Sequence, residues 1–393
     1  MKNNIASVKN CFGCGVCAIK CPRKAIQMKP DKLGQVQPCI DEKDCTSCGI
    51  CKAVCPTCFN VCTTQSREKE AYIAVNRDED VLKKSASGGI AAALAYKWIL
   101  NGGYACGASG IVPQAEHERF RVEHILIHTI EDIEKIQGSK YVQSDIANVL
   151  PKIESLLMKG DKVLFFGTSC QVASLKKFLK IQFENLVCCD LICHGVIGSH
   201  MFGDYLKHIE KKEGNRLIDV SFRTKEKPMP YTFTFTFTFT DADNNIYQKM
   251  LDKNRSSYFR MFLGCIGYRK SCYECKYANI YKPSDITLGD YYEANEDYPE
   301  LFESGELDMQ KGISSVIIHT ETGHRLFEDQ HNIIRTYPVD LYKVVGSHAQ
   351  LQSPSRSKKG NFIILMLYKA FGWKGVDRFY KIFDGVMSLV RRR

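Results

Sequence analysis

The chain has 393 residues, 44% of them hydrophobic and 25% charged, enough to bury a substantial core in two or three domains. No apolar run approaches the roughly 18 residues of a spanning helix. The net charge of +10 is concentrated at one end: Pro354 to Arg393 carries ten Lys/Arg against two Asp, leaving a nearly balanced body that argues against nucleic-acid binding.

Of the 19 cysteines, eleven lie within the first 62 residues, in a module spanning 1–65. No apolar leader precedes Cys11, so a reducing cytoplasm is expected and metal binding is favoured over disulfides. Cys11, Cys14, Cys17 and Cys21 are followed by Pro22; Cys45, Cys48, Cys51 and Cys55 are followed by Pro56. Each block is C-x2-C-x2-C-x3-C-P, the bacterial ferredoxin spacing for [4Fe–4S] clusters. Three thiolates wrap one cluster while the fourth is carried on to the other. Cys11, Cys14, Cys17 and Cys55 therefore form one predicted ligand set, and Cys45, Cys48, Cys51 and Cys21 the second. Zinc favours two separated knuckles instead. Gly15 and Gly49 permit the tight turns, and the prolines stop the short helices. Cys39, Cys58 and Cys62 have no assignment.

Residues 66–84 read as a charged connector around a strand at Tyr72–Val75. From Ser85 the pattern becomes α/β. Ser85-Ala-Ser-Gly-Gly89 is expected to cap a helix through Leu100, followed by strands near 105–112 and 122–129 and a helix near 146–158. A strand at 162–166, a helix from Gln171 to Leu179 and a strand at 185–192 predict a βαβ crossover with parallel strands. After a helix near 201–212 the chain turns β-rich. Thr232–Thr240 alternates Thr and Phe, a strand with a core-facing Phe ladder, and a hairpin leads to Ile246–Leu251. A strand–helix unit near 313–329 completes the body. The expected fold is a multi-domain α+β chain: a dicluster ferredoxin, then a mixed α/β domain over 85–345 (parts 85–165 and 166–345) with a β-rich portion.

Parallel strands share one carboxyl edge, where open α/β sheets bind ligands. Cys170 follows the first crossover strand and Cys193 ends the second, and Cys272 and Cys275 form a C-x2-C pair. Three readings compete: scattered structural cysteines, which suits Cys106, Cys188 and Cys189; a catalytic Cys170 with His194 as base; and a third [4Fe–4S] cluster on Cys170, Cys193, Cys272 and Cys275. The third is preferred, with Cys265 as a substitute ligand. A helix N-terminus at Cys170 would favour its thiolate.

Seven stretches carry a family resemblance: Ser85-Ala-Ser-Gly-Gly-Ile90, Gly138-Ser-Lys-Tyr-Val-Gln-Ser144, Gly167-Thr-Ser-Cys-Gln-Val172, Asp190-Leu-Ile-Cys-His-Gly195, Ser221-Phe-Arg223, Cys272-Tyr-Glu-Cys275 and Asp285-Ile-Thr-Leu-Gly-Asp-Tyr291. Over about 82–330 the chain resembles the beta subunits of coenzyme F420-reducing hydrogenases and dehydrogenases. The resemblance implies a flavoprotein with FAD beside a cluster, the flavin lying against Ser87, Gly88 and Gly89 and flanked by Ser139, Lys140 and Tyr141. His194 would line the flavin or substrate as the catalytic residue. The family often has Pro where Ser169 stands.

In the tail, 354–393, aromatic and aliphatic residues interleave with Lys and Arg. Such a helix either lies at the inner face of a membrane or packs on protein. The expected function is that of a cytoplasmic iron–sulfur flavoprotein oxidoreductase, moving electrons between clusters and FAD to act on a deazaflavin or another small molecule. Two alternatives stand beside it: a non-catalytic relay subunit of a larger complex, and a membrane-surface reductase serving a cell-envelope or polysaccharide pathway. The expected partner is an electron donor or acceptor, not nucleic acid.

Overall fold

The computed structural model describes residues 3–59, 68–113, 120–225, 234–358 and 360–391. Cys62, Thr232, Phe233, Arg392 and Arg393 lie outside them. Among the described residues fourteen strands form three sheets. Strands β1 (Ile26–Pro30) and β2 (Val36–Ile40) pair antiparallel between the two cysteine blocks. Neither was expected from the sequence.

The strand expected at Tyr72–Val75 forms as β3 (Glu70–Asn76), but it lies inside the main sheet and not in a connector. Then follow β4 (Tyr104–Ile111), β5 (Arg121–Ile127), β6 (Ser144–Asp145), β7 (Val163–Thr168) and β8 (Leu186–Leu191). Next come β9 (Arg216–Phe222), β10 (Thr234–Thr240), β11 (Ile246–Asp252), β12 (Ile286–Asp290), β13 (Ser314–Ile318) and β14 (Ile334–Val339). The main sheet has the order β14-β3-β13-β12-β8-β7-β4-β5-β6. Its centre, β12, β8, β7 and β4, is parallel, while the strands outside it are mostly antiparallel. The parallel strands are buried, as helices on both faces require.

The crossover forms as expected, with Val163 opposite Leu186 and Thr168 opposite Leu191. Its helix, Ser169–Leu179, starts two residues before the expected Gln171, because Thr168 and Gln171 make a reciprocal capping box. Cys170 therefore sits in the first helical turn. Ser169 Oγ donates to buried Asp190 at 2.5 Å, and Thr287 Oγ1 does the same at 2.5 Å, tying the helix start to β8 and β12. A Pro in place of Ser169 has no hydroxyl to make this bond.

The helix Ile90–Leu100 is entered through Gly89 in the left-handed region (φ 76°), with no side-chain cap. The expected serine cap does not form, since Ser85 Oγ donates back to Val81 O at 2.7 Å. Gly88 is required for close approach: a Cβ there would lie 2.5 Å from Ala74 O.

The β-rich portion is the three-stranded sheet β11-β10-β9. Phe235, Phe237 and Phe239 of β10 face an aromatic core, with Phe235 stacked on Phe259 at 4.1 Å. The same core receives the tail helix Phe362–Arg391, which is broken at Gly372 (φ 61°). Ile364, Tyr368, Trp373, Val376 and Tyr380 are buried there. Trp373 Nε1 donates to Ser257 Oγ at 3.0 Å and Tyr368 Oη to Asp204 at 2.7 Å. One face of the tail thus packs on the body. Phe362, Ile363, Met366 and Phe371 remain exposed beside Lys369.

Candidate electron-transfer site

Three groups of four cysteines come together. In the first, Gly13 (φ 71°) and Gly15 (φ 78°) turn the loop so that the thiols of Cys11, Cys14 and Cys17 face that of Cys55 closely enough to repel one another when ionised. The Gly13 N–H donates to Cys11 Sγ at 3.2 Å. Burial is the main cause that raises Cys14, to about 11, and Cys17 still further. In the second group Cys21 joins Cys45, Cys48 and Cys51 around a small cavity. Asn4 Nδ2 points at Cys45 Sγ from 3.7 Å, and Cys48 is exposed. The fourth cysteine of each block has crossed to the other group.

The third group lies at the carboxyl edge of β7 and β8. Cys170, Cys193, Cys272 and Cys275 are mutual neighbours, and burial pushes the first three up to about 12. Burial therefore outweighs the helix-dipole effect expected at Cys170. A thiol held this high is no nucleophile at neutral pH. Its hydrogen-bond partner is Thr168 Oγ1 at 3.1 Å, while His194 Nδ1 is engaged by Tyr268 Oη at 2.6 Å. The catalytic pairing of Cys170 with His194 does not form. Four thiols gathered in one half-buried spot suit a metal centre, which deprotonates its ligands outright. Among the described residues no three such side chains converge on a single-ion site. A cube does not require it, since each thiolate binds its own iron.

The groups adjoin in order. Cys17 neighbours Cys51 of the second group, and Cys14 neighbours Cys170 of the third. Of the remaining cysteines, Cys58 touches Cys55, and Cys265 meets Ser355 and Tyr268 instead of the third group. Cys39 is exposed, while Cys106, Cys188 and Cys189 are core residues.

Beyond Cys193 the edge turns polar. Tyr268 Oη donates to Phe262 O at 2.6 Å, so His194 Nδ1 carries the proton given to Tyr268 and Nε2 is left as the acceptor. The Phe262 ring lies 5.5 Å from His194 and 4.7 Å from Tyr141. Ser139 hydrogen-bonds Tyr141, whose hydroxyl accepts from Arg223 at 3.4 Å. Arg223 forks onto Asp290 at 2.7 and 3.1 Å, and Tyr292 Oη donates to the same carboxylate. Arg223 itself has φ 57°, a backbone strain typical of functional sites.

The segment 81–89 closes this edge. Gln137 binds Val81 O and Ser85 Oγ from one side; Lys225 Nζ binds Leu82 O and Ser87 O from the other. The Ser87 hydroxyl turns inward to Ile313 O, so only its backbone faces outward partners. Burial lowers both Lys140 and Lys225 to about 8. Among the described residues neither pairs with a carboxylate. Lys140 Nζ is held by Gln137 O and Gly138 O and Lys225 Nζ also by Lys311 O, so both amines meet neutral carbonyls, and positive charge near a helix entry suits a pyrophosphate. Sequence reasoning missed Arg223, Lys225 and Asp290 as site residues, although two of the family stretches contain Arg223 and Asp290.

Residues 10–59 match the 4Fe-4S dicluster domain. Residues 71–151 match the N-terminal part, and 160–340 the C-terminal part, of the coenzyme F420 hydrogenase/dehydrogenase beta subunit. Together these two cover two thirds of the chain. The chain belongs to the coenzyme F420 hydrogenase/dehydrogenase beta-subunit family. No curated protein matches it in sequence. Among solved structures it is similar to a chain of the F420-reducing [NiFe] hydrogenase complex from Methanosarcina barkeri at 18% identity, covering 77% of this chain and 93% of that one, with a TM-score of 0.44. As a member of the family the chain is an oxidoreductase component with two [4Fe–4S] clusters in its dicluster module. No described helix is long and apolar enough to cross a membrane.

Proposed function

We propose that this beta-subunit relative is an iron–sulfur flavoprotein that carries single electrons from its dicluster module, through a third cluster, to a flavin acting on a small soluble molecule. One observation supports this above the rest: the three cysteine groups adjoin in a line that ends at Cys193, next to His194 and the Tyr141–Arg223–Asp290 assembly.

In this reading Cys11, Cys14, Cys17 and Cys55 hold the first cluster and Cys21, Cys45, Cys48 and Cys51 the second. Cys170, Cys193, Cys272 and Cys275 hold the third. FAD, when bound, exchanges a hydride with the substrate and single electrons with the clusters. The Gly89 helix entry and the positive charge of Lys140 and Lys225 attract its pyrophosphate, while Ser87 O and Gly88 N–H, engaged by Lys225 and Ser314, fix the turn. Tyr141 and Ser139 flank it, and Arg223 fixes the Tyr141 hydroxyl. His194 Nε2 accepts or returns the proton that accompanies hydride chemistry. A deazaflavin, the molecule in the family's name, is the first substrate class to try.

The test is anaerobic purification with iron, sulfide and flavin counted per chain. About twelve irons, four per cluster, and one FAD support the proposal. Eight irons with FAD remove the third cluster, and eight without flavin leave a relay subunit, which would also lack diaphorase activity. A second reading draws on the exposed Phe362, Ile363, Met366 and Phe371 beside Lys369. With one face packed, the tail could still rest its other face on an anionic membrane. Flotation of the full chain with phosphatidylserine vesicles, compared with a chain carrying Phe362→Ser, Met366→Ser and Phe371→Ser on the exposed face, tests it.

A further inference from the structure

Arg269 is only 3% exposed, yet among the described residues no carboxylate pairs with it. All its acceptors are neutral. Nη1 donates to Cys11 O at 3.2 Å and Val36 O at 2.9 Å, both in the dicluster module. Nε and Nη2 donate to Gln143 Oε1 at 3.0 and 2.8 Å, in the body. Its own carbonyl accepts the Cys272 N–H at 2.8 Å, and Ser271 Oγ also donates to Cys11 O, at 3.2 Å. The guanidinium is packed against Gly13, where a Cβ would lie 2.6 Å from Nη2. One buried cation is thus pressed against the Cys11 loop of the first group and anchored three residues before Cys272 of the third.

Burying a guanidinium without an anion is strongly unfavourable. Its retention calls for negative charge nearby, and the ligand loops it touches are those of Cys11, whose carbonyl it binds, and Cys272, whose N–H its own carbonyl accepts. Four thiolates around a cube leave a net anion, and each electron added makes it more negative. A fixed cation therefore stabilises the reduced state more than the oxidised one, since net charge and hydrogen bonding set cluster potentials.

We propose that Arg269 is a positioning residue shared by the first and third clusters, clamping the dicluster module to the sheet edge and raising the reduction potential of both centres. The inference rests on the assignment of a third cluster made above. It also makes the second cluster, on Cys21, Cys45, Cys48 and Cys51, an internal reference that Arg269 does not touch.

The experiment is a redox titration followed by electron paramagnetic resonance on the full-length, cluster-loaded protein, with R269Q, R269K and Q143E. In R269Q the first and third centres should become harder to reduce, their reduced-to-oxidised ratio at a fixed potential falling about tenfold, or 59 mV for one electron. The second centre should stay put. R269K, which keeps the charge, should recover most of the shift. Q143E keeps the guanidinium and its bonds to Cys11 and Val36 but places a carboxylate on it, and should lower both potentials. It decides the matter if R269Q does not load iron. Twelve irons with both midpoints unmoved in Q143E overturn the role of Arg269 while leaving the third cluster standing. Eight irons in the unaltered protein overturn the third cluster, and the shared cation with it.

Discussion

Asp290→Asn should unlatch the two sheets from each other. The Arg223 side chain is 4% exposed and that of Asp290 18%, and their fork joins the end of β9 to the end of β12. Asn keeps the shape of Asp but leaves the guanidinium buried without its counter-charge. Breaking a buried pair in this way costs about 3–5 kcal/mol, the size expected from two charge-assisted hydrogen bonds at about 1.5–3 kcal/mol each. Replacing both partners is far cheaper than orphaning one, so R223M/D290N should be less destabilised than D290N alone.

A multidomain cluster protein does not unfold in two states, so the loss is best read locally by hydrogen exchange. At 1.4 kcal/mol per tenfold, a loss of about 3 kcal/mol is roughly a hundredfold faster opening of β9 and β12. Amides of β1 and β2, remote from the latch, should keep their rates. A change below about fivefold, or a double variant as damaged as the single, would refute the latch. Flavin content should fall in parallel, because Arg223 also holds the Tyr141 hydroxyl.

Three further outcomes can be checked. Cys170→Ala should reduce iron by about a third, four of twelve, whereas Cys188→Ala, in the sealed core of β8, should leave the count unchanged; equal losses would undo the edge cluster. His124 is buried with Nε2 2.9 Å from Phe166 O, and burial depresses it to about 4. Between its unfolded value of 6.5 and about 4, the unfolded chain takes up a proton that the folded one refuses, so stability falls as pH drops through that window. The loss totals about 3 kcal/mol, and H124Q should flatten it in acid unfolding curves. Trp373→Ala should cost about 3–5 kcal/mol, read as faster hydrogen exchange around Tyr258 and Phe259, against less than about 0.5 kcal/mol for Phe371→Ser on the exposed face. Equal costs would mean that the tail does not pack as described.

What could be read from sequence is what repeats or alternates locally. The exchange of Cys21 and Cys55 between blocks follows from spacing alone. The crossover from Val163 to Leu191 follows from one apolar run, a capped helix and a second run. The Phe ladder of β10 announces its own inner face. The hidden parts are those whose partners lie far away in the chain. β3 lies inside the sheet because β13 and β14, more than 200 residues later, pair with it on both sides. β14 carries Pro338, and β12 has five residues ending in Gly-Asp, so neither advertises a strand. Ser85 looks like a cap for the next helix, but its hydroxyl finds the preceding turn first. Arg223 with Asp290, and Arg269 with Gln143, are pairings across 67 and 126 residues that no local pattern encodes.

Exposure along the three cysteine groups gives the proposed relay an entrance. Cys48 is exposed at the open cavity, whereas Cys14 is seated among core residues with Val16 and Ile146, and Cys170 packs under Phe12. Electron carriers must approach closely, and among the described residues of the three groups Cys48 is the exposed thiol. At the opposite end the thiols give way to His194, the aromatic contacts of Phe262 and Tyr141, and the lysines that flank 81–89. In the proposed relay an outside carrier would meet one end of the line and a hydride-exchanging molecule the other. The first group, gripped by Arg269 from the body side, is the joint that keeps the two ends in register.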